Sequence, residues 1–107
     1  MKPISFLGDS RDAIRDFPDS ARYRAGVELR AVQRGLEPDD WKPMATIGSG
    51  VREIRIRDAA GAFRIVYLAT LADLVLVLHA FQKKTQRTPQ RDIDLAVKRL
   101  KEWKARQ

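Results

Sequence analysis

Arg55 and Arg57, Arg64, and the pair Lys83 and Lys84 are the residues of this sequence best placed to do chemistry. Arg52 precedes them, and Arg87 and Arg91 follow. Between Val51 and Arg91 the only acidic residues are Glu53, Asp58 and Asp73. Arg57 and Arg64 flank one expected hairpin turn, and like charges that close repel unless an anion joins them. A guanidinium offers two parallel donors that match a pair of phosphate oxygens. The expected ligand therefore carries phosphate or another anion. His79 is the only histidine, and an ordinary pKa of about 6.5 suits it to proton transfer. Along its strand it alternates with Phe81 and Lys83. The competing assignment is a core histidine satisfied by one hydrogen bond. A solvated arginine face competes likewise with phosphate contact.

The elements that must position these residues follow from spacing. "PISFL", Pro3 to Leu7, is a strand candidate closed by Gly8. Asp9 or Ser10 is expected to cap a short helix that Pro18 bounds. Asp19 or Ser20 caps a second, in which Ala21, Ala25, Leu29, Val32 and Leu36 recur at helical spacing up to Gly35. The pair forms a helical hairpin. Glu37 to Gly50 reads as a loop from its Pro, Gly and Asp content. Three strands follow. Val51 to Arg57 places Ile54 and Ile56 on one face and Arg55 and Arg57 on the other. Ala62 to Leu71 is β-branched and aromatic. Leu74 to Gln82 is almost wholly apolar, which predicts a central strand covered on both faces. Thr88 and Pro89 start a last helix with Ile93, Ala96, Val97, Leu100 and Trp103 on one side. Tyr67 and Trp103 read as core, and Asp39 and Asp40 as a turn pair. The order β–α–α–β–β–β–α predicts an α+β domain: a helical hairpin on a small, mainly antiparallel sheet, plus a C-terminal helix.

A chain of 107 residues fits one domain over residues 1–107. Twenty-one Lys and Arg stand against fourteen Asp and Glu, a formal net charge of +7. That balance favours an acidic partner such as nucleic acid. Cysteine is absent, which excludes disulfides, thiolate zinc sites and a thiol nucleophile. Neither metal nor cofactor is expected. No stretch approaches the roughly 18 apolar residues of a membrane span, and the apolar run in "MKPISFLGDSRD" is too short for a signal peptide. A cytoplasmic protein without a membrane partner is expected.

Two segments, "VREIRIRDAAGAFRIVYLA" and "LADLVLVLHAFQKKTQRTPQRDIDLAVKRLKEW", resemble the phage-derived, HigB-like branch of the RelE/ParE toxin superfamily. "HAFQKKTQRTP" is the most specific part. The resemblance implies a RelE-like fold and a type II toxin, paired with a helix-turn-helix antitoxin, that cuts messenger RNA on the ribosome. It implies that Arg55 and Arg57 are the alternating basic pair, that Arg64 in "FRIVY" opens the next strand, and that Lys84, with Lys83 beside it, ends the following one. Such an enzyme uses the RNA 2′-hydroxyl as nucleophile and needs no metal. The catalytic candidates are Arg64, Lys84, Lys83 and His79. The RNA-binding candidates are Arg55, Arg57, Arg87, Arg91 and Phe81, the last by stacking on a base. RelE-type members carry a tyrosine after the last strand, and "TQRTPQRD" has none. The alternatives are a ParE-like toxin acting on DNA gyrase and a basic binding module without toxicity.

Overall fold

The alternation after Gly50 becomes two long paired strands, and the rest of the sheet assembles around them. A computed structural model describes residues 1–107. The elements are β1 (Ile4–Phe6), α1 (Ser10–Arg15), α2 (Asp19–Gln33), β2 (Trp41–Pro43), β3 (Val51–Asp58), β4 (Gly61–Leu68), β5 (Val75–Lys83) and α3 (Gln90–Ala105). The sheet has five strands in the order β1-β5-β4-β3-β2. The β2–β3, β3–β4 and β4–β5 pairs are antiparallel, and β1 lies parallel to β5. The fold is α+β with a mixed sheet, in keeping with the expected RelE-like architecture.

Each sheet face has its own core. On one face α1, α2 and the turn between them supply Ile14, Phe17, Ala21, Ala25, Leu29 and Val32, which pack on Ile54, Ile56, Phe63, Ile65, Tyr67 and Val77. On the other, Ala96 and Leu100 of α3 meet Val51, Val66, Leu68, Leu76 and Leu78. The periodicity read in the sequence is thus the periodicity of burial. Ile54 and Ile56 face the helices, and Arg55 and Arg57 lie on the α3 side. Tyr67 is buried core, as expected.

The structure departs from expectation in several places. The segment Glu37 to Gly50 is not all loop: Trp41–Pro43 pairs with β3, Trp41 opposite Ile54. The order is therefore β–α–α–β–β–β–β–α. β5 is second from an edge, with β4 at the middle, although β5 is covered on both faces. β4 stops at Leu68. Leu36 falls outside the buried stripe and is 60% exposed. The cause is the end of α2: Gly35 adopts a φ of +81°, its N–H donates to Val32 O, and the Leu36 N–H donates to Ala31 O. This pair of bonds is a Schellman ending, which turns the next residue off the helix. The helix starts also differ. Asp9 is the N-cap of α1, one of the two residues expected there, and Pro18 rather than Asp19 or Ser20 is that of α2, with no side-chain capping bond at either. Ser10 Oγ donates instead to Val77 O at 3.3 Å, and Ser20 Oγ to Asp58. α3 begins at Gln90, one residue beyond Pro89.

Asp9 is occupied elsewhere. Its Oδ1 accepts from Arg99 Nη2 of α3 at 2.7 Å, which holds its carboxyl below the usual range. The Arg99 guanidinium lies against Gly8, where a Cβ would stand, and Gly8 has a φ of +55°. Gly8→Ala should therefore cost stability twice, through the left-handed backbone and by displacing Arg99. The backbone part alone is about 1–2 kcal/mol. Urea unfolding at equilibrium measures the loss.

Candidate phosphate-binding site

α3 covers only part of its sheet face, and the uncovered part is where the cations gather. In the β3–β4 register Arg55 stands opposite Arg64, and Arg57 opposite Ala62. On β5, Phe81 stands opposite Arg64, and Lys83 opposite Ala62. Arg64 thus faces Arg55 rather than Arg57 across the hairpin. The result is an open cavity of about 600 Å³ lined by Arg55, Arg57, Ala62, Arg64, Lys83, Lys84, Thr85 and Gln86. Ala62 is its sole hydrophobic lining residue. Such a lining suits a polyanion and offers nothing to an apolar ligand.

Each cation is held differently. Arg55 donates to Asp40 through Nε at 3.0 Å and lies 2.9 Å from it through Nη2. Arg64 is 6% exposed. Its Nη1 donates to Phe63 O at 3.1 Å, and its Nε lies 3.4 Å from Glu53 Oε1. Burial pushes the Arg64 guanidinium below its ordinary value, and the Glu53 carboxylate opposes that. Lys83 is pushed down from the usual 10.5, first by desolvation and then by the charges of Arg64, Lys42 and Arg55. Arg57 and Lys84 are exposed. Two carboxylates, Asp40 and Glu53, thus face five cations.

Glu53 carried no role in the sequence reading. It is fully buried, beside Arg64, with Lys42 Nζ 3.9 Å from Oε1 and Thr88 Oγ1 donating to Oε2 at 2.9 Å. Alternation alone put Glu53 on the outward face with Arg55 and Arg57. The signal that could have found it is its place on the same alternate row as Val51, which is itself buried.

The other expected residues lie apart. Arg52 points to the opposite face, stacked 3.8 Å over the Trp41 ring. His79 does not line the cavity. Its Nε2 is 2.6 Å from Asp92 Oδ1, and its Nδ1 is 3.4 Å from Arg99 Nη1. Asp92 as a carboxylate only accepts and Arg99 only donates, so this geometry calls for the neutral tautomer with hydrogen on Nε2. Both ring nitrogens are thereby engaged by α3. His79 keeps the face of Phe81 and Lys83 but lies where α3 covers it. Just beyond it the β4–β5 register shifts between Val66 and Tyr67 in a bulge. The bulge turns Leu78 and His79 to the same face, where both meet α3. Phe81 stacks on His79, with centroids 5.0 Å apart, and stands outside the lining. Arg87 and Arg91 are exposed beyond the pocket. No three His, Asp or Glu side chains gather where a cation would be held.

The two groups of residues should respond oppositely to mutation. His79→Ala leaves buried partners unpaired and should cost about 1–3 kcal/mol. Arg57→Ala and Lys84→Ala relieve like-charge crowding and should leave the melting temperature unchanged or higher. The same two changes should weaken binding of inorganic phosphate. Thermal melts with and without phosphate check both statements.

A family model described as Phage derived protein Gp49-like (DUF891) matches residues 12–101, from α1 through the greater part of α3. No curated protein matches the chain.

Proposed function

From a chain that belongs to the phage-derived Gp49-like family, we propose a toxin of a type II toxin–antitoxin pair, of the HigB-like branch of the RelE/ParE superfamily. Its activity is a metal-independent cleavage of messenger RNA on the ribosome. The observation that carries the reading is the cationic pocket at the ends of β3, β4 and β5, shaped by two carboxylates and five cations. The expected partners are a helix-turn-helix antitoxin, the ribosome and messenger RNA. The setting is cytoplasmic, consistent with a chain in which no helix is long and apolar enough to cross a membrane.

In this mechanism the RNA 2′-oxygen attacks the adjacent phosphorus, and the bond to the 5′-oxygen breaks. The products are a 2′,3′-cyclic phosphate and a 5′-hydroxyl. Lys83 takes the 2′-proton, because desolvation and its cationic neighbours favour its neutral form. The Lys84 ammonium supplies a proton to the leaving oxygen. Arg64 and Arg57 hold the phosphorane oxygens, where electrostatic stabilisation contributes most. The arginines stay protonated throughout. His79 has no part in proton transfer here, since both its nitrogens are engaged. It holds β5 against α3 instead.

Expression without a partner should arrest growth and translation, and mapping of new RNA ends should place them inside translated frames. Arg64→Ala and Lys84→Ala should reduce cleavage by about 10²–10³-fold; Lys84→Ala should keep its stability and bind the antitoxin, whereas Arg64→Ala leaves Glu53 buried without its nearest charge and should also melt lower. Growth arrest without RNA ends, with gyrase inhibited, would instead identify the ParE-like alternative. Tolerance of strong expression of folded protein would leave only a binding module.

Cleavage should also rise with pH. Neutral Lys83 is the active form and its folded value is depressed, so the midpoint should lie below 10.5. Lys83→Arg should abolish the rise along with most of the rate. A pH–rate profile under single-turnover conditions checks the sign.

A further inference from the structure

The pocket's best-placed arginine is aimed by groups that do not themselves reach the cavity. Arg64 Nε faces Glu53 Oε1 at 3.4 Å, and Nη1 is bound to Phe63 O at 3.1 Å. Nη2 has no protein partner and is the nitrogen left for an anion. Glu53 is fully buried, so it holds its neighbour and meets no substrate. Its second oxygen accepts from Thr88 Oγ1 at 2.9 Å, and Thr88 is 9% exposed. Thr88 closes the segment that follows β5, of which Lys84, Thr85 and Gln86 line the pocket. The Arg64–Glu53 contact is an ion pair without a hydrogen bond, so the direction of the buried carboxylate is fixed by the Thr88 hydroxyl and the guanidinium is drawn to it by charge.

We infer that Glu53 and Thr88 are positioning residues: Thr88 fixes Glu53, Glu53 fixes Arg64, and Nη2 is thereby held toward the scissile phosphate. The same chain ties the order of the segment Lys84 to Pro89 to the aim of Arg64, so one wall of the pocket and its arginine form together. This inference rests on the pocket's being the RNA-cleaving site, and it adds residues outside the lining.

Glu53 gives the inference a sign. Taken as charge alone, a carboxylate this near would repel phosphate, and Glu53→Gln would tighten binding. As a positioning group its loss frees Arg64, and Glu53→Gln weakens binding. Thr88→Val removes the hydroxyl and leaves every charge in place, whereas Thr88→Ser keeps the hydroxyl. The measurements are single-turnover cleavage of ribosome-bound messenger RNA and titration with inorganic phosphate. The titration follows the Arg64 Nε–H resonance by NMR.

Thr88→Val should lower kcat by up to about 10²-fold, with KM little changed, and Thr88→Ser should restore it. Both Thr88→Val and Glu53→Gln should bind phosphate more weakly. In the unaltered protein the Arg64 Nε–H signal should exchange slowly even without phosphate. That measurement stands if either variant fails to fold. Rapid exchange there, wild-type kcat in folded Thr88→Val, or tighter phosphate binding by Glu53→Gln would overturn the inference. If Arg64→Ala itself cleaves at the wild-type rate, the RNA-cleaving reading falls instead, and the phosphate titration still decides whether Arg64 is positioned.

Discussion

The structure turns on one boundary, the line across the sheet where α3 stops covering it. On the covered side Val51, Val66, Leu68 and Leu76 are buried. On the uncovered side the same rows continue as Arg55, Arg57, Arg64 and Lys83. Glu53 sits at the line, fully buried. A buried carboxylate is costly unless charge and hydrogen bonds satisfy it. Arg64 of β4 and Lys42 of β2 supply the charge at 3.4 and 3.9 Å from Oε1, which itself accepts no hydrogen bond, and Thr88 after β5 bonds Oε2. The strand read as loop matters for this reason. β2 brings Lys42 toward Glu53, and the residue before it, Asp40, to Arg55; without the strand both contacts would be missing.

Polar groups at the two ends of the α3–β5 contact have opposite duties. His79, Asp92, Arg99 and Asp9 satisfy one another across β5, α3 and the start of α1. Arg99 also donates to Leu78 O at 3.0 Å, so the bulge is fixed from both sides. Both ring nitrogens of His79 are taken up within this group. The pocket is the reverse case: its cations outnumber their acids, and that imbalance is held by a sheet whose other side is solid core. A rigid backing lets like charges stay close with little loosening, which is the condition for binding an anion without reorganisation.

The parts legible in the sequence were those governed by period. Ile54 and Ile56 against Arg55 and Arg57, the apolar run of β5 and the stripe of α3 all appear as read, because alternate residues fall on opposite faces of a strand. The lining residues Arg55, Arg57, Arg64, Lys83 and Lys84 were legible for the same reason. What period could not show was where coverage ends. Glu53 lies on the same row as Arg55 but under cover, and composition does not mark that difference. β2 was hidden because three residues ending in Pro43, among Gly and Asp, carry no alternation. His79 is in the row of Phe81 and Lys83 as its phase indicates, but α3 covers it, and that coverage left its bond to Asp92 unseen. Leu36 failed through backbone geometry: Gly35 ends the helix before the stripe reaches it.

The parallel pairing of β1 with β5 has a consequence for how the chain comes off its template. Ile4 pairs with Val75 and Phe6 with Val77, and Lys2 Nζ donates to Ala69 O at 2.9 Å and to Leu71 O at 2.6 Å. The first strand therefore has no place in the sheet until the last strand has been made. Closing a span of that length is slow beside hairpin formation. During synthesis from the N-terminus, β3 and β4 can pair early, but Lys83 and Lys84 appear only with the end of β5. Asp92 and Arg99, which hold β5 in place, are later still. A growing chain thus carries Arg55, Arg57 and Arg64 before the lysines that complete the pocket have been added.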